Sequence, residues 1–379
     1  MHTITVFPLG NADSVRINLE NGKKILFDYA NMRNPDDKYD LRCDLPKELR
    51  DDLDEDGKDY FDVVAFTHLD EDHYKGASDF FWFEYAKKYQ GDDRIKINML
   101  WVPAAIITEE APDNDEARII QREARHRFKN GENIRVFSRP EKLKKWCKNN
   151  DINFDDRKDL ITDAGRLAPG FSLSEDKVEF FVHSPFAKRL NDSEVEDRNA
   201  DSLVMQATFE IDKIETKFLL MADITHEIIT DIVEVTRDKK KRPERLEWDI
   251  AKLPHHCSYK SIGPEKGKDK TEPVDEVAWL YEEQGLSGAK IISTSKPIPS
   301  KDSDEDKEDH PPYRQAANYY KSILSEPKDQ FLVTMEYPKK TEPKPIEIEI
   351  SASKATVKKR AITAAAIVGG TQSPRAGKI

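Results

Sequence analysis

Apolar residues come in short runs that are separated by turns, which is the pattern of β-strands. Residues 4–9 and 14–19 form the first two runs, and a third run, 24–28, follows the dipeptide Asn21-Gly22. Asn-Gly between apolar runs is a hairpin signal, because both residues tolerate the left-handed backbone of a tight turn. The chain is therefore predicted to open with three strands.

The same pattern continues to the carboxyl end, with helical spacing in between. Further strands are predicted at residues 61–67, 97–102, 171–173, 178–183, 202–211, 217–222, 289–294, 330–337 and 346–351, and helices at 77–89, 115–128, 143–147 and 313–324. Strands outnumber helices, and several alternate polar with apolar residues. We therefore expect an α/β protein with two sheets, each covered on one face by helices.

Charge and cysteine content narrow the function. The net charge of −12 over 379 residues argues against a protein that coats nucleic acid nonspecifically, although a local basic groove can exist in an acidic chain. Cys43, Cys147 and Cys257 show no CxxC spacing, so the sequence suggests neither a disulfide framework nor a thiolate zinc site. The opening residues do not resemble a signal peptide, and the apolar runs are too short to span a bilayer. We expect a cytoplasmic protein without membrane association.

Four potential metal ligands directly follow the buried strand 61–67: His68, Asp70, Asp72 and His73. Alternate residues of extended chain point the same way, so His68 and Asp70 can face one ion. A following helical turn lets Asp72 and His73 face a second. Mixed imidazole and carboxylate ligands suit zinc, manganese or iron(II). The alternative is a solvated, acidic helix start, which is less common with two flanking histidines.

Two distant segments add ligands of the same kinds. The apolar run 218–222 ends in Asp223, whose carboxylate can bridge two ions, and the segment 251–254 ends in the pair His255-His256. Three strand ends therefore supply ligands. Either histidine of the pair can be the ligand, and the other would then donate a hydrogen bond to a substrate phosphate.

These segments match known motifs in order and spacing. Residues 67–73 (THLDEDH) look like an HxDxDH signature, residues 220–224 (LMADI) like LTGDI, and residues 253–258 (LPHHCS) like VPHHGS. Residues 10–14 (GNADS) stand where a GQGDA turn is found. Together the motifs resemble the metallo-β-lactamase family, and within it the soluble hydrolase domain of ComEC-type competence proteins.

The resemblance implies an αββα sandwich of the metallo-β-lactamase fold, with two central mixed sheets covered by helices. We assign residues 1–356 to this domain, with surface insertions near 34–60 and 104–150. Residues 357–379 are predicted to be a flexible tail.

The chain departs from the family pattern at three positions without losing a ligand. Ala222 replaces the glycine before the carboxylate, Lys75 replaces one glycine of the turn after His73, and Cys257 replaces the glycine after the histidine pair. Cys257 is either a soft ligand, an oxidation-sensitive thiol, or a buried small apolar residue, which is the favoured interpretation.

The resemblance further implies hydrolysis of a phosphodiester by two divalent ions, Zn²⁺ or Mn²⁺, that share a hydroxide. Asp72 and His256 are the catalytic candidates, with Asp72 orienting the hydroxide while it binds metal. Asp223 would hold the two ions at working distance. Asp28 would hydrogen-bond a ligand histidine. The oxygen-rich ligand set slightly favours manganese.

Three further residues are candidates in the same site. Related folds often carry a histidine ligand where His183 ends its strand, although a histidine that is merely near the site fits equally well. His310 is a candidate substrate ligand or proton donor, unless it only solvates its loop. Ser258, in the histidine segment, is a candidate substrate-binding residue.

The leading hypothesis is a nuclease or other phosphodiesterase that acts on DNA, in prokaryotic defence or DNA processing, with a protein partner from the same operon. Arg118, Arg122 and Arg125 at helical spacing and the basic run 239–242 are either phosphate contacts or solvated charges.

Two other functions fit the same residues. One is a small-molecule or cyclic-nucleotide phosphoesterase, for which we expect a narrow pocket closed by residues 34–60 or 104–128. The other is a non-catalytic partner-binding module, against which the presence of every ligand counts.

Overall fold

The strands of the chain assemble into two mixed sheets. The computed structural model describes residues 1–110, 112, 114–186 and 201–358. Within these residues the strands are β1 (His2–Val6), β2 (Val15–Asn18), β3 (Lys24–Phe27), β4 (Tyr60–Ala65), β5 (Lys96–Pro103), β6 (Ile134–Phe137), β7 (Ile161–Thr162), β8 (Val178–Ser184), β9 (Val204–Ile211), β10 (Ile214–Met221), β11 (Trp248–Lys252), β12 (Gly285–Ser293), β13 (Phe331–Val333), β14 (Ile346–Ser351) and β15 (Lys354–Val357). The first sheet has the order β15-β14-β1-β2-β3-β4-β5-β6-β7, and the second has the order β13-β12-β11-β10-β9-β8.

Each sheet has a parallel part that brings strand ends to one edge. Strands β3 to β7 run parallel in the first sheet, and β10 to β13 run parallel in the second. Ligand sites of α/β sheets lie outside the carboxyl ends of parallel strands. In this chain Asp28 and His68 follow β3 and β4, whereas Asp223 and His255 follow β10 and β11.

Helices cover the outer faces of both sheets. Their bounds are α1 (Leu45–Glu55), α2 (Glu71–Tyr74), α3 (Ala77–Phe80), α4 (Ala104–Thr108), α5 (Asp115–Asn130), α6 (Glu141–Asn149), α7 (His226–Val233), α8 (Asp275–Ala278), α9 (Asp304–Lys307), α10 (Arg314–Ser322) and α11 (Pro327–Gln330). None of these helices combines the length and apolar content that a bilayer crossing requires, within the described ranges.

Three clusters of buried apolar residues separate the layers. The middle cluster joins the sheets, with Val6 of the first against a set that includes Phe180 of the second. One outer cluster includes Leu49 of α1, and the other includes Ile229 of α7. The layers follow in the order helix, sheet, sheet, helix. The prediction of an α/β chain with two mixed sheets and covering helices is confirmed.

Residues 34–60, predicted to be a surface insertion, contain a helix that belongs to the core. The side chain of Asp44 accepts a hydrogen bond from Lys47 N and so caps α1. Leu45, Leu49 and Leu53 lie four residues apart on one face and are fully buried. The many charged residues between the leucines hid this stripe in the sequence.

Residues 104–150 are likewise part of the sandwich. They contribute β6, which pairs in parallel with β5, and the helices α4 to α6. The helix predicted at 77–89 ends at Phe80, because Phe81 adopts extended backbone and forms a bridge with Ile95. Residues 171–173 do not form a strand.

The predicted tail meets the last described strand. Val357 is paired with Ile348 of β14, so the tail assigned from residue 357 begins inside β15. Residues 359–379 of the predicted tail lie outside the described residues. The domain limit therefore stays a prediction.

A buried ion pair anchors α5 to the first sheet. The fully buried Arg127 donates from Nε to Glu123 Oε1 at 2.7 Å, and from Nη1 to the carbonyls of Ile97 and Asn133, each at 3.0 Å. The charge of Glu123 is buried too, so each partner neutralises the other.

We predict that Arg127→Met destabilises the protein by about 3–5 kcal/mol, because it leaves the Glu123 carboxylate buried without a cation. Denaturant unfolding measures this loss. Arg118→Met on the same helix is the control, since Arg118 pairs with the exposed Asp115 at the surface. Equal unfolding midpoints for the two variants would contradict the assigned role of Arg127.

Candidate metal centre

Polar residues from three strand ends meet at one edge of the sandwich. Residues 68–73 follow β4 and form the short helix α2 after Asp70. Asp223 follows β10, and residues 255–256 follow β11. Distant parts of the sequence thus come together because parallel strands of the two sheets end at the same place.

Four of these residues form a compact group, called here the metal group: Asp72, His73, Asp223 and His256. One ligand atom from each lies within 4.8 Å of all the others. Asp223 is central, with Oδ1 3.5 Å from His73 Nε2 and Oδ2 3.5 Å from His256 Nε2. His256 Nε2 also lies 3.0 Å from Asp72 Oδ2. Two imidazoles and two carboxylates suit zinc, manganese or iron(II).

Buried nitrogen atoms at the metal group fit a bound cation. Nε2 of His73 and Nε2 of His68 have no well-aligned hydrogen-bond partner in the described part of the chain, and both rings are buried. Native proteins rarely leave buried polar atoms unsatisfied. A divalent ion at the metal group would satisfy Nε2 of His73.

Hydrogen bonds on the far side of each ring orient both histidines of the metal group. His73 Nδ1 lies 2.8 Å from Asp28 Oδ2, and Asp28 also accepts from the backbone N of Thr67 at 2.8 Å. His256 Nδ1 lies 2.8 Å from the carbonyl of Thr294. When Nδ1 donates in this way, Nε2 is left free to bind metal.

His255 and His256 differ in position. The His256 ring enters the metal group, whereas Nε2 of His255 is 4.0 Å from Asp223 Oδ2 and its ring is partly exposed. The backbone N of His255 donates to Asp223 Oδ1 at 3.1 Å. The geometry therefore favours His256 as the ligand and leaves the His255 ring for substrate.

The histidine pair His255-His256 lies on strained backbone. His255, His256 and Cys257 have φ angles of 48°, 52° and 67°, in the left-handed region that costs a non-glycine residue about 1–3 kcal/mol. Cys257 stands where the resembled family has glycine, which would adopt this conformation freely. Its thiol lies outside the metal-binding groups of the described residues, and burial raises its pKa to about 12. It is a buried small side chain.

Sequence reasoning missed a second pair of buried charges beside the metal group. Asp13 lies between β1 and β2, and its carboxylate forms an ion pair with Lys252 of β11. Lys252 Nζ also donates to the carbonyl of Met221 at 2.7 Å. Asp13, Asp28 and His73 form another group with metal-binding spacing, but Lys252 already neutralises Asp13 there. A lysine within an apolar strand was the available sequence signal.

His68 and Asp70 form a separate pair. Nε2 of His68 lies 3.5 Å from Asp70 Oδ2, and the His68 and His73 ring centroids are 3.9 Å apart. Neither residue belongs to the groups of three or more ligands found among the described residues. The structure therefore brings the ligands predicted for two ions side by side, with a complete set of four only at the metal group.

His183, a candidate metal ligand, does not join the metal group, and Ser258, a candidate substrate-binding residue, is turned to a backbone contact. His183 Nε2 donates to the carbonyl of Arg245 at 3.0 Å, and burial lowers the pKa of its imidazole to about 3. Ser258 is buried and accepts from Lys260 N, so it caps the next helical turn. Strand position alone did not reveal which face of β8 His183 occupies.

An open cleft of about 650 Å³ reaches the metal group and is called here the histidine cleft. Asp72, His255 and His256 line its floor, and the exposed His310 lines the same cleft from the loop after α9. His310 and Asp72 thus face the same cleft.

The basic residues predicted to contact phosphate are mostly engaged elsewhere. The side chain of Arg125, in α5, donates to the carbonyls of Ile107 and Glu109 at the end of α4. It therefore caps the carboxyl end of α4. Arg118 pairs with Asp115, and Arg242 with Glu244. These contacts weaken the case for a phosphate-binding helix face.

Opposite charges within the metal group shift its pKa values. Burial opposes the ionisation of Asp72, but the neighbouring His73 and the hydrogen bond from His256 lower its pKa to about 2. Burial also opposes protonation of His256, but Asp223 and the hydrogen bond to Asp72 raise its pKa to about 9. Against the same burial, His256 and His73 hold the pKa of Asp223 well below its ordinary value. Without metal, protons on the histidines compensate the carboxylates.

Comparison with known proteins does not assign a family to the chain. No protein-family model and no curated protein matches the chain. Similar solved structures include one described as a new diphosphatase from the PhnP family, with 12% identity, coverage of 92% of this chain and 98% of that chain, and a TM-score of 0.35. Values this low assign neither a fold nor a chemistry to the chain.

We predict that metal affinity rises with pH from about 6.5 to 9, because a metal must displace the proton that His256 holds up to its raised pKa. Calorimetric titration with Zn²⁺ or Mn²⁺ in buffers of different ionisation enthalpy measures the released protons. His226→Gln is a matched control, since His226 lies outside the metal group and pairs with Glu227. Affinity that does not change with pH would contradict a histidine-containing site.

Proposed function

We propose that the chain is a metal-dependent phosphodiesterase of the metallo-β-lactamase fold that acts on nucleic acid, with DNA as the leading substrate. The observation that carries the proposal is the metal group at the floor of an open cleft, with His255 and His310 beside it. Anions that bind in this cleft would contact imidazoles and a cation together.

The layered architecture and the motifs support the same fold. Two mixed sheets lie between helical layers, and the ligand segments follow the strands to which the metallo-β-lactamase resemblance assigns them. The HxDxDH, LTGDI-like and VPHHGS-like segments meet at one edge. The form of the first motif resembles that of ComEC-type domains, because Asp70 stands where commoner members have histidine.

The metal group would hold a divalent ion, Zn²⁺ or Mn²⁺. The bound ion supplies positive charge that stabilises the phosphoryl oxygens as negative charge develops. Asp72 is the residue of the group that also lines the cleft, and its low pKa keeps it ionised. It can therefore accept a hydrogen bond from a water molecule and hold it for in-line attack.

The walls of the cleft supply the remaining groups. The His255 ring is held beside Asp223 by its backbone hydrogen bond and can donate to a non-bridging phosphate oxygen. His310 can donate a proton to the leaving oxygen. These roles need no nucleophilic side chain.

One observation favours a small phosphodiester as the second candidate. Glu305 and Glu308 line the histidine cleft and would repel a polyanion along that wall. Residues 34–60 and 104–128 were predicted to close a narrow pocket. They do not do so, because residues 296–312 line the cleft instead. A compact substrate is thus accommodated without the closure that we expected.

We predict that the protein cleaves labelled single- or double-stranded DNA in the presence of Mn²⁺, and that Asp72→Asn lowers the rate about 100-fold or more, since the variant loses the carboxylate that helps to hold the metal and positions the attacking water. Gel assays measure the rates. Asp155→Asn is the control, because Asp155 is an exposed carboxylate that pairs with Lys158 outside the metal group.

Two outcomes would contradict the proposal. A folded, metal-loaded protein that cleaves neither DNA nor bis(p-nitrophenyl) phosphate is not a phosphodiesterase. Cleavage of bis(p-nitrophenyl) phosphate without cleavage of DNA would replace nucleic acid by the small phosphodiester.

A further inference from the structure

A second cleft, of about 640 Å³, adjoins the histidine cleft and is called here the Tyr39 groove. It lies between the segment before α1 and the loops after β12 and β13. Its lining includes Tyr39, Leu41, Arg42, Lys296, Met335 and Lys340. None of the motifs in the sequence assigned a role to these residues.

The two clefts adjoin each other at a shared boundary. Asn11, Lys296 and Pro297 line both of them. Asn11 fixes this boundary, because its Oδ1 accepts from Lys296 N at 2.9 Å and its Nδ2 donates to the Pro311 carbonyl at 2.5 Å. A chain-like molecule can therefore pass from the metal group over Lys296 into the Tyr39 groove.

The charges of the two clefts favour this direction for a polyanion. Glu305 and Glu308 stand on the far wall of the histidine cleft, whereas Lys296 stands at the boundary, exposed and without an ion-pair partner among the described residues. The lining of the groove has two carboxylates, Asp37 and Asp40, against three cations, Arg42, Lys296 and Lys340. Arg42 neutralises Asp40, and Lys340 is exposed beside Glu336. A negatively charged strand meets repulsion on one side and a free ammonium on the other.

Tyr39 adds an exposed aromatic face to the groove. Its side chain is 77% exposed, and large hydrophobic side chains with such exposure are few among the described residues. The ammonium of Lys38 lies 4.9 Å from the ring centroid. Exposed aromatic rings beside cationic side chains are the usual platform on which single-stranded bases stack.

We infer that the Tyr39 groove binds the part of a single-stranded nucleic acid that continues beyond the scissile phosphate, with Lys296 at the backbone and Tyr39 under a base. This inference rests on the proposed function, because it takes the metal group as the position of the scissile phosphate. It makes the enzyme prefer strands over isolated dinucleotides.

The test compares binding of a labelled thymidine dinucleotide with binding of a longer oligothymidylate, using the Asp72→Asn protein without added metal so that cleavage does not interfere. We expect the longer strand to bind more tightly. Tyr39→Ala, added to Asp72→Asn, should reduce this advantage roughly tenfold, the size of one lost stacking contact. Lys296→Gln, added in the same way, should also reduce it, because it removes the ammonium from the backbone.

Two control variants make the result specific. Tyr39→Phe keeps the aromatic ring and should keep the advantage of the longer strand. Lys213→Gln removes an exposed lysine from the turn between β9 and β10, at the hairpin end away from Asp223, and should also keep it. Equal binding of dinucleotide and longer strand, or an advantage that survives Tyr39→Ala, would overturn the inference.

A second assay, hydrolysis of bis(p-nitrophenyl) phosphate by the metal-loaded wild-type protein, tests the phosphodiesterase activity independently of the groove. Hydrolysis without a length preference would refute the groove and leave the phosphodiesterase. A Tyr39-dependent length preference without hydrolysis would support the groove and refute the phosphodiesterase.

Discussion

The buried carboxylate of Asp223 is the constraint on which the site depends. Its two oxygens face His73 and His256, and one of them also accepts the backbone N–H of His255. A buried negative charge is tolerated only when cations or donors compensate it. With Asp72 added, the metal group needs either protonated histidines or a metal ion. This requirement explains why the raised pKa of His256 and the ligand geometry occur together.

Strand ends and hydrogen bonds hold the charged side chains of the site in place. Parallel strands of both sheets end at the same edge, and the residues that follow them turn into short helices or left-handed backbone. Asp28 fixes the His73 ring, and Thr294 fixes the His256 ring. Lys252 neutralises Asp13 beside them. These contacts fix the side chains around the metal group, which pre-organises the site before substrate binds.

The sequence was sufficient for the parts of the structure with a local signal. Period-two apolar runs located most strands, and three strand-end motifs located the candidate ligands. Two kinds of feature had no such signal. Charged residues between the leucines of α1 hid their spacing, and the four-residue strand β6, which joins residues 104–150 to the first sheet, is too short to give a clear pattern. The face of β8 that His183 occupies, and the pairing of Asp13 with Lys252, likewise depend on tertiary packing.

The coordination of a bound metal tests the account most directly, because every proposed role starts from the metal group. X-ray absorption spectroscopy of the zinc- or manganese-loaded protein reports the ligand atoms. The account predicts a shell of nitrogen and oxygen with the outer scattering of imidazole, from His73 and His256. A sulfur shell near about 2.3 Å, or a shell of oxygen alone, would contradict it.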